Sequence, residues 1–267
     1  MEMPFNSFKA AIASKLTRYG LWAGFASGYA AEIAASSDYD WMLIDGEHAP
    51  NTVPTILNQL QAVAPYRTAP VVRSVNGDPS LIKQLLDIGV QTLMVPMVET
   101  AEQARSIVRA MRYPPYGIRG VGGGLARATR WDSVPDYLST AHQSLCLIVQ
   151  VESRLGVENV EEIAAVEGVD AVFVGPADLS IGLGYPGNPS HPEVQTQIRR
   201  AIDATISAGK AVGILAPHEE DARRYAEWGC TFIAVGIDIS LFRQAAATNL
   251  ARYRSTNTKA SESSRTY

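Results

Sequence analysis

Two carboxylates, Glu152 and Asp178, each follow a short apolar run, LCLIVQV (Leu145–Val151) and VDAVFV (Val169–Val174). Near-continuous hydrophobic runs of this length read as buried strands of a parallel sheet, and such sheets carry their ligands at the carboxyl ends of the strands. Ends of adjacent strands lie about 5 Å apart. Two acids that close repel each other unless a cation sits between them, and hard oxygen donors suit Mg²⁺, Mn²⁺ or a similar divalent ion. Two protein ligands leave most of an octahedron for water and a bidentate substrate. Gln150 precedes Glu152 by two residues, so a strand turns both to one face and Leu147, Val149 and Val151 to the other.

Three further stretches add chemistry. In DWMLIDGEHAPN (Asp40–Asn51) the apolar Trp41–Ile44 runs straight into Asp45, Gly46, Glu47 and His48. A histidine beside an acid in a loop is a common general base, although Asp45 alone reads equally as a turn residue and His48 as a helix cap. PVVRS (Pro70–Ser74) ends in Arg73, which also reaches the rim, where an arginine often simply pairs with an acid. GPADLS (Gly175–Ser180) places backbone amides around Ala177, of the kind that hold carboxylates or phosphates. Schiff-base chemistry is disfavoured, because none of Lys9, Lys15, Lys83, Lys210 and Lys259 ends a strand. His142, His191 and His218 read as lying off the site, and Gly122–Gly124 lacks the Lys-Ser/Thr of a phosphate loop, which points to a lid or subunit contact.

These residues need a scaffold that brings several strand ends to one rim. Strands are expected at Leu21–Ser27, Trp41–Asp45, Pro70–Ser74, Thr92–Val98, Leu145–Val151, Val169–Val174, Ala211–Leu215 and Thr231–Val235, each followed by an apolar repeat at helical spacing. One helix opens at Asp78-Pro79, an N-cap followed by proline, and the last spans Leu241–Tyr253. Alternation of eight strands with eight helices predicts an α/β fold, a closed (β/α)8 TIM barrel, with an open doubly wound sheet as the other possibility. The 267 residues match one such domain, 1–254, with a flexible tail at 255–267. Tyr113–His142 breaks the alternation with a Pro/Gly/Arg-rich insertion, and long insertions are usually functional.

A net charge of −4 offers no basic surface for nucleic acid or acidic lipid. No apolar run matches a membrane span and the N-terminus lacks a signal-peptide core, so a cytoplasmic protein is expected. Cys146 and Cys230 lie in apolar runs without metal-ligand spacing and read as buried thiols.

Taken together, LIDGEHAPN, PVVRS, QLLDIGVQTLMVPMV, RYPPYGIRGVGGGLARATRW, VQVES, VFVGPADLS and GYPGNPSHPEV resemble the HpcH/HpaI aldolases, above all the members that split 4-hydroxy-2-oxoheptanedioate and their sugar-acid relatives. The likeness runs in order from about Leu21 to Val235. It implies a barrel of the phosphoenolpyruvate/pyruvate superfamily and a class II aldolase using Mg²⁺, Mn²⁺ or Co²⁺. The implied reaction is reversible cleavage of 4-hydroxy-2-oxo acids to pyruvate and a small aldehyde through a metal-stabilised enolate. By the same resemblance Glu152 and Asp178 are metal ligands, Gln150, Asp178 and the backbone at Ala177 bind pyruvate, and Leu215 lies near the aldehyde. His48 is implied as base, Arg73 as the enolate-stabilising cation, and Asp87 as an acid that raises the basicity of that histidine. The family forms homo-oligomers, usually hexamers built as trimers of dimers.

Asp87 fits this poorly in one chain, because it comes late in a helix that should have travelled to the opposite rim, and the expectation is that it reaches His48 of a neighbouring subunit. Two other functions are open: a citrate-lyase-type enzyme acting on a CoA ester, against which the lack of a basic cluster counts, and a non-catalytic barrel that only binds a metal carboxylate.

Overall fold

In the computed structural model, which describes residues 1–263 and the side chains of 1–254, eight parallel strands close into a barrel in sequence order. They are β1 (Arg18–Ala23), β2 (Trp41–Asp45), β3 (Ala69–Arg73), β4 (Thr92–Val95), β5 (Cys146–Val151), β6 (Ala171–Val174), β7 (Ala211–Leu215) and β8 (Phe232–Ile237). The helices are α1 (Ser7–Ala13), α2 (Gly28–Ala35), α3 (Val53–Val63), α4 (Pro79–Asp87), α5 (Ala101–Met111), α6 (Tyr137–Ser144), α7 (Arg154–Glu158), α8 (Val160–Ala164), α9 (Pro176–Gly182), α10 (Pro192–Ser207), α11 (Glu219–Glu227) and α12 (Asp238–Ser263). The expected (β/α)8 barrel is what forms, and the open sheet is ruled out.

Alternation on each strand builds two apolar layers. Leu147, Val149 and Val151 of β5 face outward into the large core shared with the helices. Cys146 and Ile148 face inward with Trp41, Met94, Phe173 and Phe232. At the amino end, α1 closes the barrel floor, with Phe8 edge-on to Trp41 and Phe232 at 5.8 and 5.4 Å. That plug was not anticipated. With the floor closed, the interior opens only at the carboxyl rim, where Gln150 continues the inward row.

The boundaries differ in instructive places. β4 ends at Val95 rather than Val98, because Pro96 has no N–H to continue a ladder and Met97 takes a left-handed φ of 53°. β1 begins and ends earlier than expected, at Arg18 and Ala23, and its pairing with β8 shifts register between Gly20 and Leu21. The Tyr113–His142 insertion holds two short 3-10 turns and the start of α6. The last helix runs on to Ser263. Side chains from 255 onward and residues 264–267 lie outside the described residues, and the expected flexible tail at 255–267 falls there. Among the described residues no helix is long and apolar enough to cross a membrane.

Candidate active site

β2 and β3 are neighbours in the barrel, as are β5 and β6 beyond β4, and residues at or just past their carboxyl ends meet in a cleft of about 500 Å³ at the rim. Asp45 and Arg73 are cross-strand partners in the β2–β3 ladder. Arg73 donates from Nε to Asp45 Oδ1 at 2.9 Å and from Nη2 to Asp45 Oδ2 at 2.7 Å, a planar fork on a carboxylate. Trp22 Nε1 donates to the same Oδ2 at 3.1 Å, and the backbone N–H of Glu47 to Oδ1 at 3.0 Å. Burial pushes the Asp45 carboxyl upward, but the Arg73 fork and the Trp22 and Glu47 donors outweigh it and hold its pKa below the ordinary value. Asp45 therefore stays ionised with both oxygens engaged. The same fork fixes the orientation of the Arg73 guanidinium.

The third guanidinium nitrogen, Arg73 Nη1, lies 2.7 Å from Glu47 Oε2, an ion pair that lacks hydrogen-bond alignment. Glu47 Oε2 in turn lies 3.7 Å from His48 Nε2. Burial raises the Glu47 pKa against the opposing charges of Arg73 and His48. Glu47 thus bridges Arg73 and His48, a link that the sequence, which shows it only as the acid beside His48, does not reveal. Its position inside GEH was the available signal of its place at the rim. His48 itself is solvent-facing, its side chain 68% exposed, and lines the cleft.

Across the cleft, Glu152 is 3% exposed. Its Oε1 accepts from the backbone N–H of Met97 at 3.0 Å, the amide freed where β4 breaks off. Its Oε2 accepts a short hydrogen bond from Gln150 Nε2. Burial, with Asp178 and Glu47 adding negative potential, pushes the Glu152 pKa up to about 7. Ala177 and Asp178 stand in the first turn of α9, exposed to the cleft. Gln150 Oε1 is buried without a hydrogen-bond partner.

A costly buried acid, a second acid near enough to raise its pKa and an orphaned carbonyl oxygen make a donor set that fits a divalent cation. Among the described residues no group of three or more His, Cys, Asp or Glu is arranged to hold a metal. Glu152 and Asp178 are the two acids of this donor set that could hold such an ion.

Gly175 makes this packing possible. A Cβ there would overlap Glu152 Oε2 and stand 2.7 Å from Glu152 Cβ. Gly175→Ala is expected to displace the Glu152 carboxylate and weaken metal binding by about 10- to 100-fold, read by titration with Mn²⁺. Unchanged affinity would mean that Glu152 is not a ligand.

Leu215, at the end of β7, lines the same cleft, as do His218, Asp221 and Ser190. His218 was set aside in sequence reading as solvated; it is exposed but forms part of the wall, which nothing local in its sequence signalled. Asp87 does not line the cleft. It closes α4, and its Oδ1 accepts from Arg119 Nη2 at 2.6 Å. Within one chain the structure therefore brings together Asp45, His48, Arg73, Gln150, Glu152, Ala177, Asp178 and Leu215 and leaves Asp87 apart.

Comparison with known proteins points the same way. The profile of the HpcH/HpaI aldolase/citrate lyase family matches residues 18–245. The chain is 71% identical to a hydroxypyruvate/pyruvate aldolase of Delftia acidovorans over 269 aligned positions, covering 100% of both chains. It is 56% identical over 248 positions to a 4-hydroxy-2-oxo-heptane-1,7-dioate aldolase of Escherichia coli, covering 93% of this chain and 95% of that one. A crystal structure of a family protein from Burkholderia cenocepacia J2315 superposes with a TM-score of 0.89 at 43% identity, covering 93% of this chain and 99% of that one. With β1 to β8 and every rim residue described above inside the matched span, the chain belongs to the HpcH/HpaI aldolase/citrate lyase family of carbon–carbon lyases.

Proposed function

We propose that the protein is a divalent-metal-dependent class II aldolase that reversibly joins pyruvate, or its 3-hydroxy form, to a small aldehyde. The observation that carries this reading is the meeting of Glu152, Gln150 and Asp178 with Arg73 and His48 in one cleft. A divalent ion held by Glu152 and Asp178 would polarise the keto oxygen of a 2-oxo acid and favour negative charge there.

The chain's own groups divide the remaining work. Arg73, locked by Asp45 and Glu47, offers a fixed cation to the oxygen on which charge develops as C3 loses its proton. Because the guanidinium is already oriented, it needs no reorganisation in the transition state. His48, at the open edge of the cleft, accepts and returns the C3 proton. Glu47, 3.7 Å from its Nε2, favours the protonated imidazole that results. The first turn of α9 at Ala177 receives the substrate carboxylate, and Leu215 borders the aldehyde, which enters from the His218 side.

Pyruvate and hydroxypyruvate are taken as donors because relatives are named for them. Absence of a basic cluster in the cleft weighs against a CoA ester. A cytoplasmic homo-hexamer, a trimer of dimers, completes the proposal. Leu241, Phe242 and Leu250 on α12 are 45, 67 and 48% exposed in the single chain, which suits burial by another copy. In such an assembly Asp87 would serve His48 of a neighbouring subunit.

Exchange of pyruvate methyl protons with solvent deuterium isolates the proton-transfer half of the reaction from the identity of the aldehyde. Exchange is expected with Mg²⁺, Mn²⁺ or Co²⁺ and is expected to fall to the uncatalysed rate in excess chelator, returning when metal is restored. Exchange that persists in chelator overturns metal dependence, and its absence in loaded protein overturns the aldolase reading.

A further inference from the structure

The insertion from Tyr113 to His142 contributes nothing to the cleft of its own chain, yet it contains an arginine whose side chain is wholly buried. After α5 the sequence RYPPYGIRG hooks back on the helix end. Ile118 N–H donates to the Arg109 carbonyl at 2.8 Å and Arg119 N–H to the Arg112 carbonyl at 2.9 Å. Gly117 sits so close in this hook that a Cβ would overlap both of those carbonyl oxygens. The hook carries Arg119 beneath Tyr113, whose ring centroid is 4.6 Å from the guanidinium carbon, and across to the end of α4. There Nη2 donates to Asp87 Oδ1, while Nε and Nη1 make no hydrogen bond.

As a device for stability this is a poor arrangement. A buried guanidinium costs several kcal/mol to desolvate, and well-packed apolar residues often do as well or better. Its geometric effect is specific: one oxygen of Asp87 is pinned from inside while the side chain stays 24% exposed. The other oxygen, Oδ2, is bordered by Gly122, whose missing Cβ would stand 3.2 Å away.

We infer that Arg119 is a positioning residue, holding Asp87 by Oδ1 so that Oδ2 faces out of the barrel wall toward His48 of a neighbouring subunit. This rests on the reading that Asp87 acts across a subunit interface. The insertion then has a function: it is the brace of a positioning carboxylate that each chain lends to another.

The test uses the intact oligomer. R119M is expected to lower the pyruvate proton-exchange rate at saturation by about 10- to 100-fold, with KM for pyruvate unchanged. Differently tagged chains are then co-expressed so that mixed oligomers can be isolated. In H48A with D87N, the H48A chain supplies Asp87 to a chain that retains His48, so activity is expected to return. In H48A with R119M it is expected to return for the same reason. Recovery only in the D87N pair overturns the role of Arg119 and leaves the interface reading standing. No recovery in either pair overturns both, and so does wild-type exchange in D87N. Where methionine disturbs assembly, R119K is expected to exceed R119Q in exchange rate; equal rates overturn the proposal.

Discussion

Replacing His48 by alanine is expected to slow pyruvate methyl-proton exchange by about 10²- to 10⁴-fold while pyruvate affinity in the presence of Mg²⁺ is retained. The magnitude is that of a general base removed from a site that keeps its electrostatic groups. The His48 side chain forms no hydrogen bond or ion pair with Glu152 or Gln150 and is largely in solvent, so the carboxylates and the Asp45–Arg73 fork survive the change. A lyase therefore loses rate with little loss of binding, a split that marks an interaction made mainly in the transition state. Isothermal titration with pyruvate and exchange followed by NMR measure the two halves separately. Parallel loss of both would make His48 a binding residue. Exchange at the wild-type rate would remove it from the mechanism.

The same rim shows how far residue types and spacing can be read without coordinates. The strands that carry Asp45, Arg73, Glu152 and Asp178 were legible because strands buried on both faces must be hydrophobic along their whole length, and the residue that breaks such a run is the one at the rim. Period two then placed Gln150 and Glu152 on the inner face. TLMVPMV was read too far because its hydrophobicity continues past Pro96, where backbone hydrogen bonding cannot. The amide released at Met97 is the one that holds Glu152 Oε1.

Pairings across the fold were not legible. Arg119 and Asp87 are 32 residues apart and join a loop to a helix end. His218 lines the cleft because it follows β7, the neighbour of β6 in the closed barrel. The α1 plug carries the ordinary sequence of a short amphipathic helix, and its burial is decided by Trp41 and Phe232 on distant strands.

Glu152→Gln tests the other half of the site and is expected to act in opposite directions on activity and on stability. The amide is isosteric. It keeps the acceptor for the Met97 N–H, and a flip of Gln150 presents its unpartnered Oε1 to the new donor. Loss of an anionic ligand removes several kcal/mol of charge stabilisation, so metal-supported exchange is expected to fall on the order of 10³-fold.

In the metal-free protein the sign reverses. The Glu152 carboxyl titrates near 4.5 when unfolded and is raised to about 7 when folded, chiefly by burial. Between those values the folded chain binds more protons than the unfolded one, so stability falls as pH rises. The loss reaches about 3 kcal/mol by pH 8 and disappears below the unfolded pKa. The glutamine variant has no such titration. In chelator it is expected to melt several degrees above the wild type at pH 8, with the gap closing as pH is lowered toward 4.5. Saturating Mg²⁺ should restore the wild type, because a bound cation keeps Glu152 ionised without penalty, and should leave the variant unmoved. A melting gap independent of pH would show that Glu152 does not sit in this fold as a raised, waiting acid. A variant that still responds to Mg²⁺ would show that the cation is held elsewhere.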